Sequence, residues 1–317
     1  MPAILSPDWL IERGIGESRA VRIGGGEIVA TRVLLDGVVA AGTVLEAKLL
    51  RAGKPAIAEA AGQEYVLRDG AGKATEGQTI AIEVTREAIP GGEHWKRPLA
   101  KLSSESPHEP AIESQVIPFP APQDRLEEFG WSDLLEEARS GIVAFAGGAL
   151  RISPTPAMTL IDVDGNLPPL ELAMAGAKAA ARTIMRHGVG GSIGIDLPTV
   201  QGKEQRTAIG AAVDTILTNP FERTAVNGFG FLQIIRPRQH ASLFELAADR
   251  PAFEARVLLR EAAKETGATT LAAHPAVIAV LEKQEAWIAA LSRQVGGAVS
   301  LRSDARLTMS GGHAEKP

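Results

Sequence analysis

Short runs that alternate apolar and polar residues fill the chain between residues 18 and 86. Glycine-rich breaks at 24–26 and 70–72 interrupt these runs. Alternation with a period of two is typical of strands that bury one face, and several short strands at this spacing predict a small barrel or a sandwich. The runs that carry this prediction are RAVRI, EIVATRVLL, GTVLEAKLL, EYVLRD and TIAIEVTRE.

The pattern changes after a segment rich in proline. Residues 103–123 contain five prolines and few apolar residues, which predicts a linker or an extended crossing segment and marks the clearest domain boundary. Beyond it, apolar positions recur at helical spacing in WSDLLEEARSG, for which we expect Ser132 as N-cap and Gly141 just past the end. The runs IVAFAGG and ALRISP then predict a hairpin.

Strand and helix patterns alternate over the central part of the chain. An apolar strand pattern ends at Asp162, residues 168–187 predict a long alanine-rich helix, and a second strand pattern ends at Asp196. A helix in KEQRTAIGAAVDTILT and a strand in RTAVNGFGFLQIIRPR follow. This order is the βαβ pattern of a sheet with parallel members. The remaining residues, from 246 onward, predict a small α/β domain with a frayed tail.

Composition narrows the class of protein. The chain has 317 residues, 45% hydrophobic and 22% charged, which is typical of globular proteins and allows two or three domains. It contains no cysteine, which excludes disulfides, thiolate zinc sites and a cysteine nucleophile and fits a reducing cytoplasm. We expect no signal peptide, because the start of the chain lacks a basic segment followed by an apolar core. We expect no membrane span, because no apolar run reaches about 18 residues. The net charge of -5 means that any surface for nucleic acid must be local.

The carboxylates at the two strand ends are the clearest candidate chemistry. Asp162 and Asp164 are two positions apart, so on a strand they share a face, where like charges repel unless a cation lies between them. If the strands ending at Asp162 and Asp196 are parallel, both ends lie at one edge of the sheet, where ligands of open α/β sheets bind. Hard oxygen ligands of this kind suit Mg²⁺ or Mn²⁺. The alternative is that each aspartate caps a helix or stabilises a turn.

Basic residues elsewhere are candidates for contacts to a phosphate backbone. Lys203 and Arg206 begin the helix after the second strand pattern, although a solvated helix face explains them equally well. The segment FERTAVNGFGFLQIIRPRQH mixes arginines with Phe229 and Phe231, a combination that binds single-stranded nucleic acid; the alternative places both rings in the core. The most basic cluster of the N-terminal half is HWKRPLAK, which contains Trp95, Lys96, Arg97 and Lys101.

Three segments together resemble the catalytic core of the ribonuclease E/G family. They are TLIDVDGN, GGSIGIDLPTVQGKEQR and FGFLQIIRPR, and the resemblance runs from about residue 130 to about residue 240. In that family two aspartates at strand ends bind Mg²⁺, and they correspond to Asp162 and Asp196. The resemblance implies an α+β multidomain protein. Its expected parts are an OB-like RNA-binding β-barrel (1–102), a proline-rich linker (103–123), a mixed α/β nuclease core with parallel βαβ units (124–245) and a small α/β domain (246–317).

The activity implied by this resemblance is that of a Mg²⁺-dependent endoribonuclease. Such an enzyme cleaves single-stranded RNA by metal-activated water, leaves 5′-phosphate ends, and acts in RNA processing or turnover. Asp162 and Asp196 would hold Mg²⁺ or Mn²⁺, and Asp164 would act as a further ligand or orient the water. The residues expected to contact RNA are Tyr65, Arg86, Lys96, Arg97, Lys203, Arg206, Arg236 and Arg238.

Two other functions remain open at this point. One is that of a non-catalytic RNA-binding relative of the same family. The other is a glycosyltransferase that uses the Asp-x-Asp motif with a nucleotide sugar, but this reading leaves Asp196 and the matching downstream strand unexplained.

The chain departs from the family pattern in several places. Asp164 stands where the family has an asparagine, which adds negative charge beside the metal aspartates. The family's cysteine pair, which holds a zinc ion shared between subunits, is absent, so a homo-oligomer must form in another way. The chain between barrel and core is too short for the family's 5′-monophosphate-sensing domain. Tyr65 is the one aromatic residue of the barrel that we expect to stack on RNA.

Overall fold

A computed structural model describes residues 8–90, 96–111 and 113–317 of the chain. Within these residues the protein mixes helices and strands. The strands are β1 (Trp9–Arg13), β2 (Glu17–Gly24), β3 (Glu27–Leu35), β4 (Val44–Arg51), β5 (Ala56–Ala60), β6 (Gln63–Leu67), β7 (Thr79–Arg86), β8 (Leu99–Leu102), β9 (Gln115–Ile117), β10 (Ile142–Phe145), β11 (Gly148–Pro154), β12 (Thr159–Gly165), β13 (Gly191–Asp196), β14 (Glu222–Arg223), β15 (Phe231–Arg236), β16 (Thr269–Ala273), β17 (Val299–Ser303) and β18 (His313–Glu315). The helices are α1 (Arg125–Glu128), α2 (Trp131–Ser140), α3 (Pro169–Arg186), α4 (Lys203–Asp214), α5 (Leu243–Ala248), α6 (Arg250–Ala262), α7 (Pro275–Glu282) and α8 (Glu285–Val295).

The first three strands belong to a sheet of their own. Its order is β3-β2-β1-β9, and all pairs are antiparallel except β1 with β9. Val21, Ile28 and Val33 place its apolar side in the same core as helix α3. The prediction that residues 18–86 form one small barrel or sandwich is therefore wrong. Alternation with a period of two identifies strands, but it does not show which sheet each strand joins.

A closed barrel follows, with the strand order β4-β5-β6-β8-β7. This confirms a barrel in the N-terminal half of the chain, although it begins only at β4. Its interior is filled by small and branched side chains, as expected for a barrel of this size. The buried residues of its core include Ala47, Leu49, Ala58, Leu67, Ile82 and Val84.

The proline-rich segment returns the chain from the barrel to the first sheet. Strand β9 lies within this segment and pairs with β1, so the segment expected as a linker also contributes an edge strand. Helix α2 has Gly130 as its N-cap instead of the expected Ser132, because Trp131 is buried and already belongs to the helix. The helix ends before Gly141 as predicted, where a φ of +68° gives the left-handed cap that glycine favours.

The central sheet carries both predicted metal aspartates. Its order is β10-β11-β12-β13-β15-β14. The predicted unit β12–α3–β13 is parallel, whereas β15 pairs with β13 in the antiparallel direction. Helix α3 covers one face so closely that a Cβ added at Gly176 would lie 2.2 Å from a methyl carbon of Val163. The other face presents exposed and half-buried side chains, which leaves the sheet open on one side.

The C-terminal part of the chain is built on the sheet β17-β16-β18. Helices α6, α7 and α8 share its apolar core. The expected frayed tail is wrong for His313–Glu315, because these residues form β18 and pair with β16. Arg302 Nε adds an ion pair to Glu315 at 2.9 Å. The sequence SGGHAEKP gives no sign of this pairing, which depends on an edge of β16 that is distant in the chain.

Buried ion pairs join the first sheet to the C-terminal part of the chain. Arg260 on α6 lies 2.9 Å from Glu12 on β1 and 2.7 Å from Asp124, and Arg19 lies 2.8 Å from Glu12. Burial alone would lower the pKa of Arg260, but hydrogen bonds to Glu12 and Asp124 outweigh burial and raise that pKa. Burial would likewise raise the pKa of Asp124, but hydrogen bonds from Arg260 and Lys264 bring it down to about 2.

Replacing Arg260 by methionine should lower the free energy of unfolding by about 3–5 kcal/mol, because Glu12 stays buried after losing one of its two cationic partners. Urea unfolding followed by circular dichroism measures the loss. The control is Arg306→Met, which removes a pair between Asp304 and an arginine side chain that is 88% exposed. This control should leave the midpoint nearly unchanged. Equal losses in the two variants would contradict a special role for the buried pairs.

A buried histidine makes stability depend on pH. His187 Nε2 lies 3.1 Å from Glu137 Oε2, and its ring stacks on Phe244 with the ring centroids 4.4 Å apart. Burial outweighs the attraction of Glu137 and lowers the pKa of His187. Below its ordinary pKa of about 6.5, the unfolded chain therefore binds a proton that the folded chain does not. The folded state loses stability as the pH falls through this range.

We expect the free energy of unfolding to decrease between about pH 7 and about pH 5, the range in which an unperturbed histidine gains its proton. Urea midpoints measured across this range test the expectation. In the variant His187→Gln the decrease should be smaller. The part that remains is expected from His240, whose pKa burial also lowers. A variant with the full pH dependence of the wild-type protein would show that His187 is not its source.

Candidate active site

Asp162 and Asp196 lie directly side by side on neighbouring strands. The parallel register of β12 and β13 pairs these two residues with each other, at a strand separation of about 4.8 Å. Both are exposed, and Asp164 is exposed on the same face of β12. Ile161 and Val163 point the other way and are buried under α3. The alternation of the strand thus places all three carboxylates on the open face of the sheet.

These carboxylates have few partners inside the protein. In the part of the chain that the structure describes, Asp162 and Asp196 form no ion pair and accept no hydrogen bond. Asp164 Oδ1 accepts a hydrogen bond from the N–H of Gly165 at 2.8 Å. Two unpaired carboxylates on adjacent strands repel each other, so the arrangement is one that a cation stabilises.

An arginine that the sequence analysis missed lies beside the aspartates. Arg151 on β11 is the direct register partner of Asp162 and is exposed. Among the described residues it has no ion-pair partner. The alternating run ALRISP placed Arg151 on the polar face of a predicted hairpin strand. Which residue it faces depends on the antiparallel register between β11 and β12, and a single sequence does not reveal that register.

Two aromatic residues flank the other side of the site. Phe231 on β15 is the register partner of Asp196 and is half-buried on the open face. A Cβ added at Gly194 would lie 2.5 Å from its ring, so the ring rests against the glycine of β13. Phe229 is 85% exposed. The alternative that both rings belong to the core is therefore wrong for Phe229.

The predicted RNA-binding residues are only partly gathered near the aspartates. Lys203 is exposed at the first position of α4, seven positions after Asp196 in the chain, and Arg206 is half-buried on the same helix. Arg236 pairs in register with Gly191, at the opposite end of β13 from Asp196. Its Nη1 donates to the carbonyl oxygen of Val189 at 3.0 Å, and burial lowers its pKa.

A second group of basic residues lies where the barrel meets the central domain. Arg86, Lys96 and Arg238 line a cleft of about 170 Å³ together with Pro156 and Glu245. Lys96 Nζ donates to the carbonyl oxygen of Pro156 at 2.8 Å, and Arg238 forms an ion pair with Glu245. These residues line a cleft between the barrel and the central domain, apart from the aspartate pair.

The remaining predicted contacts on the barrel have partners within it. Arg97 Nε lies 2.7 Å from Glu64 Oε2 at the surface, and the Arg97 carbonyl oxygen accepts a hydrogen bond from Arg86 Nη2 at 2.8 Å. Trp95 lies outside the described residues. Its neighbour Lys96 is the nearest part of that basic cluster whose position is described.

Tyr65 is not available for stacking. Its side chain is 1% exposed and lies in the barrel core, where burial raises its pKa. The expectation that it stacks on RNA is therefore wrong. The reason is geometric: neighbouring positions on a barrel strand face inside and outside in turn, and the sequence pattern did not show which side Tyr65 takes.

The donor set at the strand ends fits a hard divalent cation with few protein ligands. Asp162 and Asp196 supply two carboxylates in register. No group of three or more histidine, cysteine, aspartate or glutamate side chains suited to a metal is found within residues 8–90, 96–111 and 113–317. Mg²⁺ commonly uses one or two carboxylates, several waters and substrate phosphate oxygens, so two carboxylates suffice for it.

Comparisons with known proteins do not identify the chain, since no protein-family model and no curated protein matches it. Among the described residues, none of the helices has both the length and the apolar composition needed to cross a membrane.

Mg²⁺ should raise the thermal stability of the wild-type protein, because a ligand that binds only the folded state stabilises it. At a concentration of about ten times Kd the expected gain is about 1.4 kcal/mol. The variants Asp162→Asn and Asp196→Asn should lose this gain, as measured by calorimetry with and without Mg²⁺. The control is Glu222→Gln, which neutralises an exposed carboxylate on β14 at the sheet's edge. Equal gains in all four proteins would show that Mg²⁺ binds elsewhere.

Proposed function

We propose that the protein is a Mg²⁺-dependent endoribonuclease that cleaves single-stranded RNA in RNA processing or turnover. The observation that carries this proposal is the in-register pair of exposed aspartates, Asp162 and Asp196, on the open face of the central sheet. The resemblance of the surrounding segments to the ribonuclease E/G family supplies the reaction. A helix cap does not explain Asp196, because α4 begins seven residues later.

Each residue of the site has its own role in the proposed reaction. Asp162 and Asp196 would hold the metal, which when bound supplies an activated water and positive charge at the scissile phosphate. Asp164 has one oxygen fixed by the Gly165 N–H, which orients its carboxylate to accept a proton from the attacking water. Arg151 would place a positive charge beside Asp162, which stabilises the negative charge that develops on the phosphate. By resemblance, the products carry 5′-phosphate and 3′-hydroxyl ends.

The substrate class follows from the open face and the barrel. An open sheet face with one exposed and one half-buried aromatic ring beside it accommodates splayed bases, whereas a duplex keeps its bases paired and stacked. Lys203 and Arg206 contact the RNA backbone on the α4 side of the site, and Arg86 and Lys96 do so at the barrel. We place the protein in the cytoplasm, where such RNA and the reducing conditions that suit a chain without cysteine occur together.

A non-catalytic RNA-binding protein is the second candidate. The finding that favours it is that Arg86 and Lys96 line a cleft that does not include the aspartates. In this candidate the barrel and the basic residues bind RNA, and the aspartates have no chemical role. A homo-oligomer is compatible with both candidates, but it cannot form through a zinc ion held by cysteines, because the chain has none.

Cleavage of fluorescent single-stranded RNA in Mg²⁺ or in EDTA decides between the candidates. We expect internal cleavage by the wild-type protein in Mg²⁺ only. In Asp162→Asn and in Asp196→Asn the rate should fall by a factor on the order of 10² or more, because each variant weakens the charge stabilisation of the transition state. The exposed control Glu222→Gln should cleave at the wild-type rate. RNA that is bound but never cut, over several sequences and with Mn²⁺ as well, would reject the nuclease and support the binding protein.

A further inference from the structure

Phe229 is the most exposed large hydrophobic side chain in the described part of the chain, at 85%. A single exposed apolar residue is ordinary on a protein surface. A phenylalanine, however, has much apolar area to bury, and leaving it in water gives up a large stabilisation. The backbone around Phe229 shows whether the ring is exposed because the turn is loose or because the turn holds it there.

The turn that carries Phe229 is fixed by hydrogen bonds that one side chain accepts. Asn227 Oδ1 accepts hydrogen bonds from the N–H groups of Phe229 at 2.9 Å and Phe231 at 3.0 Å. The Asn227 N–H donates to the carbonyl oxygen of Phe231 at 3.0 Å. Gly230 has a φ of +92°, and a Cβ added there would lie 2.1 Å from the carbonyl oxygen of Leu197. Only glycine fits this position, so the turn holds Phe229 in one place.

The same turn is fastened to the segment that follows Asp196. The Leu197 N–H donates to the carbonyl oxygen of Gly230 at 3.2 Å, and Thr199 Oγ1 donates to the carbonyl oxygen of Phe229 at 3.2 Å. Thr199 is three residues after Asp196, and three residues span roughly 10 Å at most. Phe229 also lies two residues before Phe231, the register partner of Asp196, so the turn that carries the ring is at the Asp196 end of β13.

We propose that Phe229 is a stacking platform for the nucleobase of a nucleotide next to the scissile phosphate. This inference rests on the proposed nuclease function and names how the same site selects its substrate. An unpaired base has a face that no neighbouring base covers, and the exposed ring of Phe229 offers an apolar surface that can cover it. A base within a duplex is already stacked on both sides, so it cannot use the ring. Phe229 is accordingly a residue that selects single strands.

Another apolar residue on the open face, Ile235, provides a matched control. Ile235 is 55% exposed on the same strand as Phe231, but it pairs in register with Ser192, near the end of β13 away from Asp196. Replacing Ile235 by alanine removes an exposed apolar side chain without touching the turn. Phe229→Tyr keeps an aromatic face at the site, whereas Phe229→Ala removes it.

The test measures kcat/KM of these proteins on a set of RNAs of one sequence, each with the base of a single nucleotide near the cut replaced by hydrogen. At one position, base removal should slow the wild-type protein by about 5- to 150-fold. Phe229→Ala should show a similar loss on intact RNA and no further loss on the RNA without that base. Phe229→Tyr should retain the wild-type pattern, and Ile235→Ala should stay within about twofold of it on every RNA.

Three results would overturn the inference. One is unchanged cleavage by Phe229→Ala. Another is a loss that is the same with and without the base, which would mean that the ring does not contact it. The third is a changed sedimentation of Phe229→Ala with no coupling to any base, which would assign the ring to contact between copies of the chain. If the wild-type protein cuts no RNA, the nuclease proposal fails separately, and affinities for the same RNAs in EDTA decide whether Phe229 stacks on a base.

Discussion

The buried ion pairs around Glu12 and Arg260 join parts of the chain that are far apart in the sequence. These two residues are 248 positions apart along the chain, and Asp124, just after the returning proline-rich segment, completes the contact. Along the chain, the barrel comes after β3 and before the proline-rich segment. The connections that lead into the barrel and out of it therefore both lie beside these ion pairs. The apolar side of the first sheet in turn supports α3, and α3 supports the strands that carry the aspartates.

Joining the first sheet to the C-terminal part of the chain through buried charges costs free energy. Removing a carboxylate and a guanidinium from water costs several kcal/mol for each ion, and their attraction only approximately offsets that cost. Apolar side chains of similar size would stabilise the junction as well, but they would accept many alignments. Arg260 instead requires Glu12 and Asp124 at fixed angles, and Arg256 requires Glu17 at 2.9 Å. We infer that the network contributes the alignment of the first sheet on α6 more than it contributes stability.

The sequence predicted the neighbouring position of Asp162 and Asp196 better than it predicted the rest of the fold, for a physical reason. The side-by-side position of Asp162 and Asp196 needs only one local rule, that a strand–helix–strand unit is parallel, and the structure has that unit. The place of β1 to β3 and of β18 depends on partners far along the chain, which local alternation does not encode. The role of Tyr65 was predicted wrongly, and Arg151 was missed, for a similar reason on a smaller scale. Each depends on which way a strand faces or which register it takes, and both are set by the neighbouring strand.

The open face of the central sheet goes against what stability alone would favour. Asp162 and Asp196 repel each other without a partner in the described residues, while Phe229 gives up the burial that a phenylalanine usually gains. Both costs arise at the Asp196 end of β13, where Gly230 and Asn227 hold the turn that carries Phe229 in its arrangement. Local conflicts with folding rules concentrate at functional sites, because a ligand removes them when it binds. A divalent cation between the carboxylates and a base on the ring would remove both conflicts at once.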